Sequence, residues 1–148
     1  MVIKAIKDKI IGIDTMVFIY HFEDHPGYSH TTEKILGAVE EGRYHAVTSV
    51  ITLLEILVKP KREGNLSAAK DYKDLLLTFP NLKIYDLDMR IADMASDLRA
   101  RYGIKTPDAV QIATTISGGG KTFLTNDGAL KNIEEVRVML LDEIVKTL

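Results

Sequence analysis

The sequence predicts an α/β fold in which a mostly parallel sheet carries helices on both faces. Short apolar runs typical of buried strands alternate along the 148 residues with longer stretches of helical periodicity. Such an alternation builds strand–helix–strand units, whose crossover connections make neighbouring strands parallel. The length suits a single domain, residues 1–148, and no repeat, low-complexity tract or linker divides the chain.

The predicted elements are delimited by glycine, proline and polar turns. Strands are expected at 9–13, 45–49, 82–86, 122–125 and 136–141, and helices at 28–41, 50–58, 66–78, 89–102 and 107–117. The helix at 50–58 should stop at Pro60, because proline disfavours helical geometry in the residue before it. Thr106 and Pro107 are expected to cap and open the helix that follows them.

Composition restricts the possible chemistry. The chain has 19 Lys and Arg against 21 Asp and Glu, a net charge of −2, so nucleic-acid binding would need a local basic patch or a metal rather than bulk charge. The absence of cysteine excludes disulfides, thiolate metal sites and cysteine nucleophiles. No signal peptide or spanning segment is recognisable, so we expect a cytoplasmic protein that does not bind membranes.

Two aspartates follow predicted strands. Asp14 comes directly after the apolar run 10–13, and Asp127 follows the strand at 122–125. Each has an ordinary alternative, because aspartate also caps helices and Asn-Asp-Gly is a common turn. At the carboxyl ends of parallel strands, however, both would stand where open α/β sheets bind ligands.

Two further acids lie on predicted helices. Glu55 interrupts a strongly apolar run and should be partly buried; a surface pair with Lys59 would contribute only about 0.2–0.5 kcal/mol, too little to offset burial. Asp108 falls in the first turn of its helix, where the helix dipole favours a negative charge by about 0.3–1 kcal/mol. Glu55 is therefore the stronger functional candidate of the two when each is taken alone.

Together the four acids favour a metal site. If the first and fourth strands are neighbours, the winding of the sheet reverses between them and opens a ligand crevice. Carboxylates sharing that crevice would repel one another, so their cluster needs divalent cations. Oxygen ligands without cysteine or histidine favour Mg²⁺ or Mn²⁺ over zinc. The candidate metal ligands, which are also the candidate catalytic residues, are Asp14, Glu55, Asp108 and Asp127.

The residues around these acids form a longer pattern. It comprises IDT at 13–15, TSVITLLEI at 48–56, YGIKTPDAV at 102–110 and FLTND at 123–127. In order and spacing this pattern resembles the PIN-domain family and, within it, the VapC-type toxin ribonucleases. The last two stretches are the most specific part of the resemblance. Gln111 stands where relatives often carry His, and Met16 and Phe18 are bulkier than usual, which bears on substrate preference.

The resemblance implies a three-layer α/β/α PIN-like fold with a five-stranded parallel sheet in the order 3-2-1-4-5. It also implies that the four acids bind Mg²⁺ or Mn²⁺ and hydrolyse RNA endonucleolytically, leaving a 5′-phosphate and a 3′-hydroxyl. Further implications are a cognate antitoxin that inhibits the protein and a homodimer. Helices near Leu75 and Leu98 are candidate surfaces for such partners, although both residues would serve equally well in a core.

Other residues are candidates for supporting roles. Three of them would orient carboxylates or water, namely Thr15, Thr125 and Asn126. Four basic residues would contact RNA phosphates, namely Lys59, Lys61, Arg62 and Lys105. The ordinary alternatives are a turn at 125–126 and a solvated surface around 59–62.

Three other functions remain open at this point. The chain could be a catalytically idle PIN-fold module that binds nucleic acid or protein, or a housekeeping RNA-processing nuclease. A phosphohydrolase with Asp14 as covalent nucleophile, as in haloacid-dehalogenase-like enzymes, would need a second aspartate at position 16. Position 16 is Met, which disfavours that enzyme class.

Overall fold

The computed structural model describes residues 3–146 and contains one five-stranded sheet. Its strands are β1 (Ile10–Ile13), β2 (His45–Ser49), β3 (Leu82–Tyr85), β4 (Thr122–Thr125) and β5 (Arg137–Leu140). All four neighbouring pairs are parallel, in the order β3-β2-β1-β4-β5. The parallel sheet and its 3-2-1-4-5 order are therefore confirmed, and β1 and β4 are neighbours.

Helices cover both faces of the sheet. They are α1 (Thr15–Phe22), α2 (Ser29–Glu40), α3 (Val50–Arg62), α4 (Leu66–Leu77), α5 (Met89–Tyr102), α6 (Thr106–Ser117) and α7 (Leu141–Val145), with a 3-10 turn at Gly128–Leu130. Within residues 3–146, no helix is both long and apolar enough to cross a bilayer.

Strand side chains alternate between two apolar cores. Ile11, Ile13 and Leu124 belong to a core shared with α1, α2, α3 and α7, whereas Phe123 and Val138 belong to a core shared with α5 and α6. This alternation follows from the two-residue period of a strand, whose successive side chains point to opposite faces. The three-layer α/β/α architecture is confirmed.

Most predicted boundaries agree with the structure to within one residue, and two departures have a local physical reason. The helix α3 passes through Pro60 and ends at Arg62. Proline removes one backbone donor, but Glu63 and Gly64 still donate to the carbonyls of Lys59 and Lys61, so the last turn persists. At α6 the N-cap is Lys105, so Thr106 is the first helical residue and not the cap.

The approach of α6 to the central strand depends on Gly12. A Cβ atom on Gly12 would lie 1.9 Å from the Thr115 hydroxyl oxygen and 2.7 Å from Thr115 Cβ. Thr115 is fully buried on α6 and bonds back to the Gln111 carbonyl oxygen, so it has little freedom to move. Since only a residue without Cβ fits, Gly12 sets the distance between β1 and α6.

We predict that Gly12→Ala destabilises the protein by about 1–3 kcal/mol, because the added methyl overpacks the β1–α6 contact. Urea unfolding measures this free energy. The matched control is Gly37→Ala in α2, where a Cβ meets nothing within 4 Å; it should stabilise by about 0.5–1 kcal/mol through helix propensity. Equal effects of the two substitutions would contradict the close packing.

Candidate active site

A cavity of about 580 Å³ opens at the carboxyl ends of β1 and β4. It is the ligand crevice expected where the winding of a doubly wound sheet reverses. All four acids line it, although they are up to 113 positions apart in the chain. Its remaining lining residues are Thr15, Met16, Ile19, Tyr20, Val58, Pro107, Thr125 and Asn126.

Asp14 is the most buried of the four acids, with 9% of its surface exposed. It is the N-cap of α1, and its Oδ1 accepts a hydrogen bond from the backbone N–H of Thr15 at 2.8 Å. Its Oδ2 accepts from the Thr125 hydroxyl at 2.7 Å. Asp14 thus serves as a helix cap and as a cavity residue at once.

Glu55 is partly buried, as its apolar surroundings indicated, and lies on α3. Its Oε1 accepts a hydrogen bond from the Thr15 hydroxyl at 2.7 Å. The surface pair with Lys59 is not formed; Lys59 Nζ donates to Glu23 Oε1 at 3.2 Å instead. Thr15 therefore holds two of the acids, Asp14 through its backbone and Glu55 through its side chain.

Asp108 and Asp127 form the more open side of the cavity. Asp108 lies in the first turn of α6 and is half-buried. Asp127 is exposed; its Oδ1 accepts from the Ala129 backbone N–H at 2.9 Å and so caps the 3-10 turn. The Asp127 backbone N–H donates to the Thr125 hydroxyl at 3.2 Å, which ties this turn to Asp14.

The electrostatics of the cavity disfavour so many negative charges. Burial is the largest of the effects that together raise the pKa of Asp14 to about 6; the hydrogen bonds from Thr125 and Thr15 lower it, and the charges of Asp108 and Glu55 also raise it. Burial is the main effect that raises the pKa of Asp108, and the charge of Asp127 raises it as well. The positive charge of Lys105 lowers this pKa and offsets part of the shift. Among residues 3–146, none of the four acids has a Lys, Arg or His ion-pair partner within 4.0 Å.

The residues fit a divalent cation in their chemistry. Carboxylates and a threonine hydroxyl are the hard oxygen ligands that Mg²⁺ and Mn²⁺ prefer, and a cation would relieve the mutual repulsion of the acids. Over the described part of the chain, no three Asp, Glu or His side chains already converge on one point at ligand distance. Binding an ion through several of the acids therefore requires their side chains to draw together.

The candidates for orienting roles separate into two groups. Thr15 and Thr125 each donate a hydroxyl proton to one of the acids. Asn126 lines the cavity but its amide donates to the Tyr20 hydroxyl at 3.3 Å, not to a carboxylate. Asn126 thus links the turn after β4 to the aromatic side of the cavity.

The basic candidates also differ in position. Lys105 precedes α6 and acts on Asp108 through its charge, while Lys59 pairs with Glu23 in an adjoining pocket that Glu55 shares. Lys61 and Arg62 are exposed at the end of α3 and do not line the cavity. Lys105 is thus a candidate whose charge acts on one of the acids of the cavity.

Gln111 is a residue whose role sequence reasoning missed. It is buried beneath the cavity, where its amide contacts the Thr15 and Thr52 hydroxyls. The signal that could have found it is its spacing, since residues three apart on a helix share one face and Asp108 lies three positions earlier.

We predict that, in the presence of a chelator, Asp14→Asn is more stable than the wild type above pH 6. The folded-state pKa of Asp14 is about 6 against an ordinary 3.8, so the folded protein loses stability as pH rises between these values. Asn carries no charge, and its amide can still accept from Thr15 and donate to Thr125. The gain should approach about 3 kcal/mol at pH 8.

Urea unfolding of both proteins from pH 4 to pH 8 measures this difference, which should vanish near pH 4. Asp97→Asn, which replaces an exposed aspartate on α5, is the matched control and should show no such gain. A constant difference between Asp14→Asn and wild type across this range would refute the raised pKa.

Comparisons with known proteins agree with this architecture. The sequence profile of the PIN domain matches residues 11–136. A sequence search among curated proteins returns no match.

Several solved structures of similar fold come from toxin–antitoxin complexes. A chain of VapBC2 from Rickettsia felis bound to a DNA fragment from its promoter has a TM-score of 0.69 and 18% identity, covering 88% of this chain and 98% of that chain. A chain of a toxin–antitoxin complex from Klebsiella pneumoniae has a TM-score of 0.66 and 20% identity, covering 90% of this chain and 98% of that chain. A chain of DNA-bound VapBC from Salmonella typhimurium has a TM-score of 0.64 and 18% identity, covering 91% of this chain and 99% of that chain. With its sheet order, its acid-lined cavity and a profile match over most of its length, the chain belongs to the PIN-domain family.

Proposed function

We propose that the protein is a Mg²⁺- or Mn²⁺-dependent endoribonuclease that acts as the toxin of a type II toxin–antitoxin pair. The observation that carries the proposal is the convergence of four acids, without an ion-pair partner among the described residues, on one cavity. Membership of the PIN-domain family supports nuclease chemistry. The similarity to chains of toxin–antitoxin complexes supports the toxin role.

The four acids would hold the metal, which supplies activation of water and stabilisation of the charge that develops on the phosphate. Thr15 orients Asp14 and Glu55, and Thr125 fixes the second oxygen of Asp14. Burial keeps Asp14, Thr15 and Thr125 away from bulk water and preorganises them. The open side, formed by Asp108 and Asp127, is where an RNA phosphate enters.

Positive charge near the entrance would bind the RNA backbone. Lys105 is exposed and close enough to Asp108 to lower its pKa, so it can meet a phosphate that approaches the acids. Lys59 contributes after release from Glu23, and Lys61 and Arg62 extend the basic end of α3 away from the cavity. Lys105 is therefore the first phosphate contact to test.

The antitoxin partner and the homodimer would use apolar surface outside the cavity. Leu98 is 2% exposed and belongs to the core, so its side chain is not available to a protein partner. Leu75 is 50% exposed, and Leu66 and Leu77 on the same helix α4, together with Leu54 on α3, are exposed as well. These individually exposed leucines of α3 and α4 are the candidate contacts for a protein partner.

We expect the purified protein to cleave single-stranded RNA with Mn²⁺ or Mg²⁺ and to lose this activity in EDTA. Asp14→Asn and Asp108→Asn should each lower the cleavage rate by more than about 100-fold, because each removes a metal ligand. The matched control is Asp97→Asn, an exposed aspartate away from the cavity, which should cleave like the wild type. Denaturing gels of labelled RNA measure the rates.

Millimolar Mn²⁺ should also raise the melting temperature of the wild type but not of Asp14→Asn. A free Mn²⁺ concentration of 100 times Kd would stabilise the folded protein by about 2.7 kcal/mol. Cleavage that survives EDTA would refute the metal mechanism. Metal binding without cleavage of any RNA would instead favour an idle module that binds nucleic acid or protein.

Lys105→Gln should weaken RNA binding and lower the slope of log K against log salt by about 0.7, the value of one phosphate contact on a single strand. The control is Lys121→Gln, an exposed lysine just before β4 and therefore at the opposite end of the sheet from the cavity. Binding isotherms of the uncleaved complex, measured in Ca²⁺ at several salt concentrations, give the slopes. Identical slopes for the two variants would show that Lys105 contacts no phosphate.

A further inference from the structure

A network of buried polar side chains lies beneath the cavity and connects α6 to Glu55. Its members Gln111, Thr48, Thr52 and Thr15 are each no more than 3% exposed. Buried polar groups are costly unless they are hydrogen-bonded, and apolar groups of the same shape are often close to neutral for stability. Stability alone therefore does not explain why four polar side chains meet at this place.

One end of the network has a fixed direction. Gln111 Oε1 accepts a hydrogen bond from the Ser49 backbone N–H at 3.1 Å. A backbone N–H can only donate, so the orientation of the amide is set and its Nε2 must face the other way. There, Nε2 donates to the Thr52 hydroxyl oxygen at 2.8 Å and, more weakly, to the Thr15 hydroxyl oxygen at 3.4 Å.

The other end of the network is fixed as well. A carboxylate offers only acceptors, so the Thr15 hydroxyl donates its single proton to Glu55 Oε1 at 2.7 Å. The lone pairs of Thr15 then face the Thr52 hydroxyl oxygen, which lies 3.0 Å away. That oxygen itself accepts a hydrogen bond from the Gln111 amide. Thr48 anchors the network on β1 by donating its single proton to the Ile13 carbonyl oxygen at 2.9 Å, so in its 2.7 Å contact with Thr52 the Thr52 hydroxyl is the donor.

We propose that Gln111 is a positioning residue for Glu55, acting through the hydroxyls of Thr52 and Thr15. By donating to the hydroxyl oxygen of Thr52 and, more weakly, to that of Thr15, the Gln111 amide leaves the Thr15 proton to point to Glu55, and this contact holds the carboxylate in one orientation. With Oε1 engaged by Thr15, Oε2 is the oxygen left for a divalent cation. The consequence for metal affinity rests on the proposed function; the orientation of Glu55 does not.

The test compares Thr52→Val, which keeps the shape but breaks the network at its centre, with Thr52→Ser, which restores the hydroxyl. The matched control is Thr114→Val. It removes a buried hydroxyl on α6 that donates to the Val110 carbonyl oxygen of the same helix. Titration calorimetry with Mn²⁺ alone, RNA cleavage kinetics, and crystal structures of the metal-free variants are the three measurements. Gln111→Met, which lacks the amide, tests the same network if Thr52→Val does not fold.

We expect Thr52→Val and Gln111→Met to bind Mn²⁺ about 10- to 100-fold more weakly, with a lower kcat and little change in KM. Thr52→Ser and Thr114→Val should bind Mn²⁺ like the wild type. In metal-free crystals, Glu55 should lose its contact with Thr15 in Thr52→Val and keep it in Thr52→Ser.

The positioning role would be overturned if Thr52→Val and Thr114→Val had the same Mn²⁺ affinity and the same orientation of Glu55. Cleavage of RNA by the wild-type protein would in that case still support the nuclease function. A wild type that neither binds Mn²⁺ nor cleaves RNA would overturn the function instead. The position of Glu55 in the metal-free crystals would then still decide whether the network orients it.

Discussion

The close packing of α6 on the central strand is the constraint on which the site depends. Gly12 lacks the Cβ atom that would collide with Thr115, so α6 lies directly against β1. The same helix carries Asp108 in its first turn and Gln111 one turn later, and its position brings both next to the end of β1. A wider separation between β1 and α6 would open the cavity and break the contact of Gln111 with Thr15.

The site gathers like charges, and its local hydrogen bonds are what make this tolerable. Burial and the neighbouring acids raise the pKa of Asp14 to about 6, while donors from Thr15 and Thr125 oppose that shift. Asp14 and Asp127 also cap local structure, so each gains from its position before any ligand binds. A divalent cation of the kind proposed above would relieve the remaining repulsion.

Much of the fold was predictable because local residue types mark the ends of its helices and strands. Glycines and prolines bound most elements, and apolar runs of strand length alternate with helical periodicity. Pro60 misled, because the last turn of α3 keeps the hydrogen bonds donated by Glu63 and Gly64. The sequence connected Gln111 only with substrate preference, because its contacts with the acid site become apparent only when its partners on α1, α3 and β2 are known.

The sequence by itself determined the strand and helix pattern, the apolar surroundings of Glu55 and the acids at the strand ends. It left each aspartate ambiguous, and the structure shows why, since Asp14 and Asp127 are caps as well as cavity residues. Only the tertiary structure decided that the four acids share one cavity and that Thr15, not Lys59, holds Glu55. Thr15 and Glu55 are 40 positions apart, and Asp14 and Asp127 are still farther apart in the chain, and no local pattern specifies such contacts.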